Sequence, residues 1–142
     1  MKRMYVLCLL ILPLLTSCKE MPSMPGGTDA IISSLTSTLG LTEQQAQGGV
    51  GSVLALAQEK LVKGDFDKIA AVIPGSQKYL DMAKSLGAVT GPLSNLAGLN
   101  GALGKLGISP DKAAKLVPAV TDFVNKAGGP EVGQLLSGAL KG

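Results

Sequence analysis

Few residues in this chain can do covalent chemistry, and their types narrow what that chemistry is. There is no histidine, which removes the commonest general base and transition-metal ligand. Cys8 and Cys18 carry the only thiols. Cys18 directly follows the small residues Thr16 and Ser17, themselves preceded by an apolar stretch. Small residues at that point let a peptidase take the chain in extended form. Cys8 lies within the apolar stretch, so if that stretch is removed Cys18 has no intramolecular disulfide partner.

The carboxylates offer no acid–base pair. Asp65 and Asp67 flank Phe66, but residues two apart on a helix do not converge. Asp65 reads as a helix cap and Asp67 as a solvated side chain. Asp111, Asp122 and Glu131 fall near helix starts or beside lysines, where the helix dipole accounts for them. Gly98 to Lys105 has the outline of a phosphate loop, yet its first glycine would have to be Leu99. Leu106 also stands where a magnesium-binding Ser or Thr belongs. Gly48, Gly49 and Gly51 lie inside a capped helix with no strand ahead, which is not a dinucleotide fingerprint. The chain reads as a non-enzyme with no metal and no cofactor.

The N-terminus has the organisation of an export signal. Lys2 and Arg3 form a positive start, and Tyr5 to Leu15 (YVLCLLILPLL) is a short apolar core. A membrane-crossing helix needs about 20 apolar residues, and Pro13 would interrupt one. Leu15-Thr16-Ser17-Cys18 resembles the lipobox of bacterial lipoproteins. That resemblance implies a signal peptide at 1–17, cleavage between Ser17 and Cys18, and acyl chains on the Cys18 thiol and new amine. Two or more chains anchor stably where one does not. Lys19, in place of Asp, implies the outer membrane with the domain facing the periplasm. The bland alternative is an ordinary signal peptide with an incidental cysteine.

Composition fits one modest domain in the mature chain. Without Lys2 and Arg3, the 13 basic residues fall to 11 against 10 acidic ones, leaving a formal charge of +1. No basic patch argues for nucleic acid. Phe66, Tyr79 and Phe123 are the aromatic residues beyond the signal, so stability must come mainly from packed Leu, Val, Ala and Ile.

Residues 18–28, the lipidated cysteine and KEMPSMPGGT, read as a flexible tether that spans about 30 Å when extended. Residues 29–142 read as a single all-α domain, a small bundle of about five to seven short helices. Asp29 to Leu39 carries Ile31, Ile32, Leu35 and Leu39 at helical spacing, with Gly40 as its stop. Thr42 and Gln45 predict a capping box for a second helix with the stripe Ala46, Val50, Val53, Leu54, Ala57 and Leu61. Glu59 and Lys63 are expected to pair on its wet side, and Gly64 to end it. Asp65 then opens a third helix through Phe66, Ile69, Ala70 and Ile73, which Pro74-Gly75 ends. Ser76 begins a fourth, with Tyr79, Leu80, Ala83 and Leu86 on one side.

Leu86 to Gly107 is rich in glycine and uncharged before Lys105. Glycine costs a helix roughly 1 kcal/mol relative to alanine, so a helix here needs close packing. Its leucines, Leu93, Leu96, Leu99, Leu103 and Leu106, form either core or an apolar interaction face, with core packing favoured. The intermediate reading is a hydrophobic pocket roofed by this segment, suited to an acyl chain or small apolar ligand. Ser109-Pro110 restarts the chain, with Ala113, Leu116, Val117, Val120, Phe123 and Val124 inward. Asp111–Lys115 and Asp122–Lys126 are expected to pair outside, and Pro118 to kink the axis. Gly128-Gly129 stops this helix, and a last turn-and-a-half runs through Val132, Leu135, Leu136 and Leu140.

One internal echo is visible. Leu39-Gly40-Leu41-Thr42 with Ala46, Val50 and Val53 matches Leu106-Gly107-Ile108-Ser109 with Ala113, Val117 and Val120, at a constant offset of 67 residues. Duplication and convergent capping grammar account for it equally. From Ile31 to Gly138 the chain also resembles the bacterial VcgC/VcgE-type proteins of unknown function. The segments LTSTLGLTEQQAQGGVGSVLALAQEKL, FDKIAAVIPG and LGKLGISPDKAAKLVPAVTDFV carry this resemblance. It implies an all-helical domain and supplies no catalytic or binding residues.

Together these readings describe a periplasmic module tethered to the membrane by lipid, with a binding or structural role. Its expected partner is an envelope protein or a second copy. The alternative is a carrier or sensor of a small hydrophobic ligand.

Overall fold

Thr42 and Gln45 show how the chain sets its helix starts. The Thr42 hydroxyl accepts from the Gln45 N–H at 3.2 Å, and Gln45 Oε1 accepts from the Thr42 N–H at 3.1 Å. The computed structural model describes residues 28–141 and is all-α. In order, the helices are α1 (Thr28–Leu39), α2 (Glu43–Lys60), α3 (Lys63–Val72), α4 (Ser76–Ser85), α5 (Leu96–Lys105) and α6 (Pro110–Lys141). Non-helical backbone at Gly129 (φ 85°, ψ 171°) divides α6 in two. None of these helices is long and apolar enough to cross a membrane.

The core is built around α2, which is buried on every side from Ala46 to Ala57. Gly48, Gly49, Gly51, Ser52 and Ala55 let neighbouring helices close on faces that larger residues would hold apart. The two polar side chains there are satisfied locally. Ser52 Oγ donates to the Gly48 carbonyl at 2.8 Å, and Gln47 Nε2 donates to Glu43 Oε1 at 2.9 Å. α4 crosses at Gly51, where a Cβ would overlap the Tyr79 carbonyl oxygen.

Several local expectations need correction. α2 ends at Lys60 because Leu61 turns extended and packs against the core, its N–H bonded to the Ala57 carbonyl at 2.9 Å. Glu59 and Lys63 therefore belong to different helices, and Gly64 lies inside the first turn of α3. Val62 is the cap of α3, while Asp65 sits in its first turn and pairs with Lys68 at 3.2 Å. That is the one ion pair among the described residues, so Asp111–Lys115 and Asp122–Lys126 do not form. The backbone stays helical through Pro118, and the break falls at Gly129. Beyond it the chain runs helical to Lys141, about three turns.

The offset of 67 extends through the fold. Added to the bounds of α1, α2 and α3, it lands on α5, on α6 before Gly129, and on α6 after Gly129. Gly40 and Gly107 both turn the chain at positive φ, 59° and 73°. Gln45 Nε2 donates to the Leu106 and Gly107 carbonyls at 3.1 and 3.2 Å, and Lys112 Nζ donates to the Gly40 carbonyl at 2.9 Å. Lys112 is the counterpart of Gln45, and Gly107 of Gly40. Reciprocal contacts of this kind are the signature of two-fold symmetry. The halves α1–α3 and α5–α6 are thus related by an internal pseudo-two-fold, and α4 links them.

Candidate functional site

The five leucines of the glycine-rich segment have different surroundings. Leu99 and Leu103 are fully buried and Leu93 nearly so. Leu106 is half-buried, and a Cβ on Gly48 would stand 2.9 Å from its Cδ1. Gly48 thus makes room for Leu106, and Leu103 Cδ2 lies 3.7 Å from where a Cβ on Gly49 would stand. Leu96 alone is open, at 41% exposure. The set is therefore not one exposed face. Asn95 starts α5 by accepting from the Gly98 N–H at 3.0 Å, which holds Leu96 in the first turn beside α6.

A groove opens between α5 and α6 at that point. Leu96, Ile108, Ala113, Ala114, Val117 and Pro118 line about 390 Å³ of it, with no charged residue on the wall. Ala114 and Pro118 are exposed and Val117 is half-buried. Sequence reasoning placed Val117 inward and treated Pro118 only as a kink. The groove needed the position of α5 to be seen, since Leu96 and Pro118 lie far apart in sequence.

A second cleft, of about 540 Å³, lies between the end of α2, α3 and the last part of α6. Leu61, Leu135 and Ala139 form its floor, with Lys60, Lys68 and Glu131 at its edge. Leu99 and Leu103 fill the interior beneath 87–107, and the spaces this segment lines are surface grooves, one beside α6 and one, of about 480 Å³, against Ala55, Gln58 and Glu59 of α2. Among the described residues, no group of three or more His, Cys, Asp or Glu side chains is placed to hold a metal ion. Cys18, Ser17 and the 1–17 segment lie outside the described residues.

A family model described as protein of unknown function VcgC/VcgE (DUF2780) matches residues 16–141. The chain belongs to the VcgC/VcgE family. No curated protein and no solved structure matches it. The VcgC/VcgE match takes in Cys18 and all six helices.

Proposed function

We propose that this VcgC/VcgE protein is a non-catalytic interaction module of the bacterial cell envelope. Acyl chains on Cys18 hold it in the outer membrane, with the helical domain facing the periplasm. The observation that carries the interaction role is the open, uncharged groove between α5 and α6. Apolar concave surface with exposed residues such as Leu96 is what a binding module presents to a partner. The anchor rests on the order of features before Cys18: positive start, short apolar core, small residues, cysteine.

Intact mass of the protein taken from its native membrane tests the anchor. A mass of residues 18–142 plus acyl chains is expected. A full-length or unacylated chain would overturn it.

The larger α2/α3/α6 cleft favours a second reading, a carrier of a small amphiphile. At about 540 Å³ it falls within the size range of ligand pockets, and Lys60 at its edge suits an anionic head. Native mass spectrometry of the protein released gently from membranes would show a co-purified lipid if this reading holds. A ligand-free protein would count against it.

A further inference from the structure

We infer that the α2–α3 turn docks on the lipid surface to which the chain is tethered, with Val62 entering the headgroup layer and Lys60 and Lys63 meeting anionic lipid. This rests on the anchor reading and assigns the face of the domain that the bilayer meets. Val62 is the most open large apolar side chain among the described residues, at 71% exposure against 41% for Leu96 and 37% for Leu86. Lys60 and Lys63 flank it, both exposed and neither in an ion pair among the described residues. From Lys60 to Gly64 the turn holds two cations and no acid. Glu59 and Asp65 bound it, and Asp65 is taken up by Lys68.

The fold does not require these residues. Under the 67-residue offset, Lys60, Val62 and Lys63 correspond to Ala127, Gly129 and Pro130. The matching junction in the second half is therefore made with no charge, and with no side chain at the place of Val62. Val62 also gives α3 no side-chain cap. An exposed apolar side chain between two lysines does fit a bilayer interface. There the apolar group sits among the headgroups while long basic side chains reach anionic phosphates. One valine and two lysines would hold a free domain only weakly. A tether of about 30 Å raises the effective concentration of the surface to roughly millimolar, where a weak contact suffices to orient the domain. Lys60 and Leu61 also line the α2/α3/α6 cleft, so the docked turn sets the rim of that cleft at the lipid.

The test uses the mature acylated protein in vesicles of phosphatidylethanolamine and phosphatidylglycerol. With Cys8 removed and Cys18 acylated no free thiol remains, so Val62→Cys can be labelled there with an environment-sensitive fluorophore. Leu96→Cys, labelled in the same way, samples another surface. The expected result is blue-shifted emission from position 62, quenched by lipids that carry a quencher in the acyl chain, and neither effect from position 96. Reversing both charges, Lys60→Glu with Lys63→Glu, should cut the ratio of docked to undocked turn about tenfold and leave the far-ultraviolet circular dichroism unchanged. Flotation with the vesicles is read in parallel and reports the anchor alone. Flotation with no quenching at position 62, equal quenching at both positions, or quenching indifferent to charge reversal would each overturn the docking while the anchor stands. Failure to float would remove the anchor and the docking with it.

Discussion

Gly49 and Leu116 meet where α2 crosses α6, and each is the other's counterpart under the 67-residue offset. A Cβ on Gly49 would stand 2.7 Å from Leu116 Cδ1. A contact between symmetry mates lies on the axis, and the axis has room for one side chain. The crossing is closed because leucine fills it from α6 and glycine yields on α2. Equivalent positions carry unlike residues for that reason.

This crossing predicts non-additive energetics. Gly49→Ala gains helix propensity but overfills the site and should cost about 1–2 kcal/mol. Leu116→Ala, at a fully buried position, should cost about 2–5 kcal/mol. In the double variant the new methyl occupies part of the space vacated. Denaturant melts of all four proteins should give a total smaller than the sum by at least about 0.5 kcal/mol. Simple additivity would mean the two sites do not share a space.

Glycines in two helices should respond in opposite directions. Gly51→Ala forces α4 away from α2 and should destabilise by about 2–3 kcal/mol or more. Nothing lies within 4 Å of a Cβ on Gly101, in α5. Gly101→Ala should therefore stabilise by about 0.5–1 kcal/mol. Thermal melting followed by circular dichroism reads both, and a fall on Gly101→Ala would contradict the open surface there.

Leu99 and Leu96 separate core from surface within one helix. Leu99 is fully buried, so Leu99→Asp should unfold or loosen the domain by placing an unpaired charge in the interior. Leu96→Asp, at the groove mouth, should shift the midpoint by less than about 1 kcal/mol. Equal effects from the two would mean the five leucines do form a single face.

Cys18→Ala should abolish acylation, read as loss of incorporated radiolabelled palmitate and of detergent-phase partitioning. Palmitate still incorporated by the variant would rule out Cys18 as the attachment point.

Helix identity was largely legible in the sequence because caps and glycine stops are local. Thr42 with Gln45, the Gly40 and Gly107 turns, Pro74-Gly75 and the Gly128-Gly129 break could all be read from residue types alone. The α2–α3 junction could not. Glu59, Lys63 and Gly64 continue a helical pattern, but Leu61 turns out of the helix to pack against the core and leaves Val62 exposed. The all-round burial of α2 was also hidden, since its glycines, serine and alanines show little apolar contrast. The groove was hidden for another reason. Leu96 has the type and spacing of its buried neighbours, and only the placing of α6 beside it leaves it open. The symmetry was visible at the two corners, but its two-fold character rests on Gln45 and Lys112, unlike residues that make the same bond.

Those reciprocal bonds span 61, 62 and 72 residues, which bears on how the chain acquires its structure. Contacts so distant in sequence form late, because chain entropy must be lost before they can act. The Gly40 corner waits for Lys112, and the Gly107 corner is closed by a residue made long before it. A chain emerging in order from a ribosome cannot close the corner of its first half before Lys112 is made. Completion of the domain is thereby timed to the arrival of α6.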